Sequence, residues 1–199
     1  MIKLSNINLN IKNKKILKDI NLEINYSDIS VIIGHNGAGK TSLLKILSKL
    51  IVPSSGLITY NSEEFCQQSS FVFQKPIFFN QTVLENLKFS LLCKKIKDTS
   101  IINSYLSEFN LLHLSNIQAN KLSSGEQQLI SFIRSLITNP KTLFLDEPTS
   151  NLDSYYKTLI ENHILKISDY TKIIIISQNK RQIKLFSNNP ISLHQGRIL

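Results

Sequence analysis

The chain has 199 residues, 42% of them hydrophobic and 19% charged, as expected of one soluble globular domain with a subdomain. No apolar run approaches the ~20 residues of a membrane span, and the opening MIKLSNINLN alternates where a signal peptide would carry an apolar block. The net charge of +9 sits on scattered lysines without interleaved aromatics, so no direct nucleic-acid contact is expected, and a place beside an anionic membrane face is compatible with it. Cys66 and Cys93 match no metal or redox spacing and read as reduced thiols of a cytosolic protein.

In chain order, Ile2 to Ile11 and Ile16 to Ile24 alternate apolar and polar residues around a polar Asn13-Lys14-Lys15 turn, which predicts an antiparallel pair. The apolar Val31-Ile32-Ile33 reads as a buried strand. After it comes GHNGAGKTS (Gly34 to Ser42), and then a helix to about Leu50 that stops before Pro53. Strand, glycine-rich turn, Gly-Lys-Thr and helix make a P-loop. Gly34, Gly37 and Gly39 let the backbone approach phosphate oxygens. The exposed N–H groups and the helix dipole favour an anion. Lys40 supplies a point charge, and the Thr41 hydroxyl is placed for Mg²⁺. The site is therefore expected to take a nucleotide.

Short strands are predicted at Leu57 to Tyr60 and Ser69 to Phe73, the second ending at Gln74. Thr82 with Glu85 forms a capping box ahead of a helix, and helical spacing returns from about Thr99 to Leu114. This stretch, about 75–122, reads as a helical subdomain inserted in an α/β core. Ser123 and Glu126 in LSSGEQQ open another capped helix, which Asn139-Pro140 stops. In KTLFLDEP, Leu143-Phe144-Leu145 reads as a buried parallel strand with Asp146 and Glu147 at its carboxyl end, where open α/β sheets bind ligands. Asp146 could share the Mg²⁺ of Thr41, and Glu147 could deprotonate an attacking water.

With these motifs in this order, nearly the whole chain resembles the ATP-binding subunit of an ABC transporter. The resemblance implies an α/β P-loop NTPase core with a mixed sheet, an N-terminal antiparallel β subdomain and the inserted helical subdomain. It also implies a head-to-tail dimer, homo- or heteromeric, holding two ATP molecules with Mg²⁺. Each ATP would lie between the P-loop of one subunit and the Ser-Gly segment of the other. Gly34, His35, Asn36, Gly37, Ala38, Gly39, Lys40, Thr41 and Ser42 would then surround the phosphates, with Thr41, Gln74 and Asp146 at the metal. Gln74 would sense the γ-phosphate position. Ser123, Ser124 and Gly125 would face the partner's nucleotide, and Asp153 in Ser-Asn-Leu-Asp would couple the two sites. Glu147 would be the general base.

Three departures stand out. Gln178 occupies the position of the family's usual histidine. It can donate and accept hydrogen bonds but cannot become a cation near neutral pH, which implies slower hydrolysis or a partly degenerate site. Ile11 falls where an aromatic residue usually stacks on adenine, and Ser124 replaces a glycine. FVFQKPIFFNQTVLENLKFSL (Phe71 to Leu91) resembles the equivalent segment of oxyanion importers of the tungstate or phosphate type. That segment receives a membrane subunit's coupling helix, for which Phe78 and Phe79 are candidate contacts. The chain ends at Leu199, so no regulatory domain is expected after it. The expected partners are transmembrane permease subunits, with the chain peripheral on the cytoplasmic face of the membrane. The alternatives are a haem or lipid exporter subunit, a soluble relative acting on nucleic acid or ribosomes, and a binding-only subunit.

Overall fold

A computed structural model describes residues 1–25, 29–61 and 68–199. The chain forms two compact units. One comprises Met1–Phe71, Lys141–Glu147 and Ile164–Leu199, the other Val72–Pro140 and Pro148–His163.

The first unit opens with β1 (Ile2–Ile11) and β2 (Lys14–Ile24), paired antiparallel from Ile2 opposite Ile24 to Ile11 opposite Lys14. The connection is tighter than the predicted Asn13-Lys14-Lys15 turn. Lys12 and Asn13, both at positive φ (44° and 63°), make it, and Lys14 already belongs to the ladder. Strand β4 (Ser55–Tyr60) pairs on the other edge of β1. Leu4, Ile7, Leu9, Leu17, Ile20 and Ile24 face inside, and the alternation read from the sequence is interrupted between Leu4 and Ile7 and between Leu17 and Ile20, where the register shifts and Asn6 and Asp19 take positive φ (52° and 51°).

The second sheet has the order β5-β6-β7-β3-β8-β9, with β5 Ser69–Val72, β6 Thr142–Asp146, β7 Lys172–Ile176, β3 Ser30–Ile33, β8 Ile191–His194 and β9 Arg197–Ile198. Its central pairs β6–β7, β7–β3 and β3–β8 are parallel, while β8–β9 is antiparallel, so the sheet is mixed. Every residue of β6 and β7 is buried, as continuous apolar runs such as Ile173–Ile176 require of a parallel strand covered on both faces. Helix α1 (Lys40–Leu47) buries Leu43, Leu44, Ile46 and Leu47 in a core shared with both sheets.

That helix ends before the predicted Leu50. Lys49 takes the left-handed conformation (φ 60°), and the N–H groups of Leu50 and Lys49 donate to Lys45 and Ile46 carbonyls. This is a Schellman closure with a lysine where glycine is usual, and so carries no sequence signal.

The second unit is helical: α2 (Val83–Cys93), α3 (Ser100–Glu108), α4 (Ser124–Leu136) and the first part of α5 (Ser154–Ile167). Both predicted capping boxes form, Thr82 with Glu85 and Ser123 with Glu126. The helical spacing read through Leu114 breaks after Glu108. Asn110 turns left-handed (φ 57°) and a short 3₁₀ turn follows at Leu112–Leu114. Phe109, Phe132 and His163 form an aromatic cluster in this unit, with ring centroids 5.3 to 6.4 Å apart. Buried Asn86 donates to the Phe79, Gln81 and Thr82 carbonyls and accepts from Phe79 N–H, tying the turn before α2 to the helix. Among the described residues no helix is long and apolar enough to cross a membrane. Cys66 lies outside the described residues, and Cys93 is an exposed free thiol.

Candidate functional site

The loop between β3 and α1 takes its path from its glycines. Gly34 has φ +150° and a Cβ there would overlap the Leu193 carbonyl, while Gly39 has φ +104° and a Cβ there would lie 2.9 Å from Leu17 Cδ2. The loop is held from outside as well, because the Ala38 carbonyl accepts from Gly196 N–H and the Gly196 carbonyl accepts from Lys18 N–H. β2, the β8–β9 turn and the loop thus fix one another by backbone contacts.

Gly39 begins α1 without a side-chain cap. Thr82, Ser123 and Asn179 cap other helices with their side chains. The first-turn amides of α1 are therefore left without a side-chain cap, and an anion is the natural partner of such a helix start. Lys40 is buried, and its Nζ donates to the carbonyls of Gly34 (2.8 Å) and His35 (3.0 Å), bending the ammonium back over the loop. His35 and Asn36 are exposed at the loop's crest, and the His35 ring meets that of His194 edge-on at 5.1 Å. Thr41 and Ser42 follow in the helix, both half-buried.

β6 brings Asp146 to the start of α1, where Thr41 Oγ1 donates to Asp146 Oδ2 at 2.9 Å across 105 residues of sequence. Burial pushes the Asp146 carboxyl above its ordinary value. The Thr41 hydrogen bond opposes this, the Glu147 charge adds to it, and Lys45 and Lys40 pull it down. A hydroxyl paired with a buried carboxylate is a hard-oxygen donor set, and these residues fit Mg²⁺.

Glu147 sits in the left-handed region (φ 48°), and its N–H donates to the Ile176 carbonyl. Its side chain turns to Gln178, whose Nε2 donates to Glu147 Oε1 (2.5 Å) and to Asn36 Oδ1 (2.8 Å). Lys40, Thr41, Asp146, Glu147, Gln178 and Asn36 are thus linked to the same loop or to one another in the first unit. Ile11 is 46% exposed at the end of β1, opposite Lys14. The arrangement can cradle a polyphosphate, hold a divalent cation and present a carboxylate to water.

The remaining candidate residues belong to the second unit. Gln74 follows β5 and is exposed. The Ser123 hydroxyl accepts from Glu126 N–H and donates to Glu126 Oε2, and these bonds hold the Glu126 carboxyl below its usual range. Ser124 begins α4, exposed. A Cβ on Gly125 would lie 3.3 Å from the Asn151 carbonyl, so the missing side chain lets the Ser-Asn-Leu-Asp segment approach α4. Asp153 Oδ1 accepts from Tyr156 N–H, making it the cap of α5, a helix the sequence reading did not mark. Phe78 lies under the Arg134 guanidinium (4.7 Å), which also donates to the Ile77 carbonyl, and exposed Phe79 packs edge-on against Phe89. Sequence reasoning missed the Asn36 side chain as Gln178's partner, and a separation of 142 positions left no local signal for it.

Residues 17–150 match the family model described as ABC transporter. The chain is 30% identical to the tungstate uptake system ATP-binding protein TupC of Peptoclostridium acidaminophilum, over 99% of this chain and 96% of that protein. It is 33% identical to the spermidine/putrescine import ATP-binding protein PotA of Fusobacterium nucleatum, over its whole length but only 56% of that relative. The chain thus spans little more than half of the polyamine relative. A dimeric bacterial ABC transporter cassette superposes with TM-score 0.89 at 25% identity, covering 100% of this chain and 96% of that one.

Proposed function

This chain belongs to the ABC transporter family, and on that premise we propose that it binds and hydrolyses ATP to power a membrane transporter, an importer of a small oxyanion such as tungstate. The observation that carries the reading is the joining of Thr41, at the head of the P-loop helix, to Asp146, beside a Glu147 held toward the same loop by Gln178. The whole-length match to a tungstate uptake protein supports the oxyanion class.

In this reading the amides from Gly34 to Ser42 and the Lys40 ammonium bind the phosphates, and Ile11 offers an apolar face to the base. Thr41 and Asp146 would hold Mg²⁺, which when bound neutralises phosphate charge. Glu147 accepts the proton of the attacking water, and Gln178 orients that carboxylate. Ser123, Ser124 and Gly125 face the nucleotide of a second ATPase subunit, with Asp153 between the two sites. Residues from about 75 to 122 are the inserted helical subdomain of a single ATPase domain. Permease subunits dock on it, and the chain works at the cytoplasmic face of the membrane.

The reading is tested by purified chain reconstituted with its permease subunits: ATP turnover should rise when a tungstate-loaded binding protein is supplied. Stimulation by a loaded polyamine-binding protein instead would overturn the oxyanion class.

Two expected results follow from the site. Burial raises the folded-state pKa of Asp146 above its unfolded value. Between those two values the folded chain binds more protons, so stability falls as pH rises through the window, and above it the cost persists in full. Asp146→Asn removes that cost while its amide oxygen still accepts from Thr41. In thermal unfolding without nucleotide at pH 7 to 8, it should melt at or above the wild-type temperature while losing Mg²⁺-dependent turnover.

Gln178 gives a slower enzyme than a histidine would, since its amide carries no charge. Gln178→His should raise turnover and give kcat a pH dependence around ~6.5 that the wild type lacks. Superimposable pH–rate profiles would contradict this role.

A further inference from the structure

The Gln178 side chain joins two elements with one nitrogen. A carboxylate only accepts hydrogen bonds, so the group facing Glu147 must be Nε2, and its second hydrogen reaches Asn36 Oδ1. The backbone around Gln178 is equally defined. Ser177 is buried with its N–H on the Ile32 carbonyl, and Asn179 caps α6 (Lys180–Phe186) by accepting from the N–H groups of Arg181 and Gln182. Gln178 is therefore an exposed side chain on an anchored link, and its rotamer rests on its two acceptors. Glu147 is the target, and its own backbone is already tied to Ile176. Asn36 is the remaining support, exposed at the crest of the loop between β3 and α1.

We propose that Asn36 is a positioning residue: by accepting one Nε2 hydrogen of Gln178, it aims the other at Glu147 and so presets the base over the P-loop. This rests on the hydrolytic reading given above and adds a role for a side chain in a loop otherwise read through its backbone. The bridge uses an amide at both ends and is independent of pH across the neutral range. Losing either end loosens the Gln178 amide that faces the carboxylate, at a cost to turnover and not to nucleotide binding.

The test is a double-mutant cycle on the full chain with Asn36→Ala, Gln178→Ala and the pair, read in two ways. In steady-state hydrolysis, each single change should lower kcat roughly tenfold with KM for ATP held within about twofold, and the pair should be no worse than either alone. In denaturant unfolding of the nucleotide-free chain, the two changes should couple by about fivefold in the unfolding constant, the ordinary worth of one hydrogen bond. Effects that multiply in both readouts would overturn the proposal, as would an Asn36→Ala that raises KM and leaves kcat intact. If the wild type binds ATP without turning it over, the hydrolytic reading fails, and the unfolding cycle still decides whether the bridge exists.

Discussion

Lys40→Ala is expected to lower ATP affinity by at least about a hundredfold. The ammonium is buried at the loop, and two carbonyls, those of Gly34 and His35, already orient it. A charged donor held so loses little freedom when phosphate oxygens replace those carbonyls, and each charge-assisted hydrogen bond contributes about 1.5–3 kcal/mol. Two such bonds exceed 2.8 kcal/mol, which at 1.4 kcal/mol per decade gives the stated loss. Titration calorimetry with Mg²⁺-ATP measures it directly. Lys40→Met, which keeps an unbranched stem without the charge, separates the loss of charge from a loosened loop. It should bind as weakly as Lys40→Ala, and wild-type affinity in either variant would remove the lysine from the phosphate site.

Glu147→Gln should behave in the opposite way, keeping nucleotide binding and losing turnover by about 10²–10⁴, the range of a lost general base. The substitution keeps the side-chain shape at a position with φ 48°, and its Oε1 can still accept from Gln178. What disappears is the capacity to take a proton. Stalled at that step, the variant should accumulate as an ATP-bound dimer on size exclusion with Mg²⁺, whereas the wild type should return to its nucleotide-free state. A Glu147→Gln chain that turns over at the wild-type rate would move the base to another residue.

Both predictions concern residues whose place could be read from local pattern. Glycines at set spacing before a lysine, an apolar run ending in Asp-Glu, and Ser or Thr three residues before Glu are short-range signals, and the backbone follows them. β6, α1 and both capping boxes form where those signals stand.

What was hidden depends on residues that only folding brings together. Lys49 ends α1 in a conformation usually left to glycine, so its sequence gives no stop signal. The Gly196 turn buttresses the P-loop through Ala38 and Lys18, partners distant in the chain. Asp153 reads as a residue of the Ser-Asn-Leu-Asp motif, yet its carboxylate caps α5, a structural duty the motif does not announce. Gln178 stood out only as a departure from a family pattern, and its two acceptors became visible when β7 placed it beside both.

In the proposed function, the loop from Gly34 to Ser42, Asp146 and Glu147 form one nucleotide-hydrolysing site. This is tested most directly by phosphate release from ATP by the purified wild-type chain, with and without Mg²⁺, beside Lys40→Ala and Glu147→Gln. The wild type should release phosphate only with Mg²⁺, and neither variant should release any above background. Equal release from all three, or a wild type that fails to bind ATP, would contradict it.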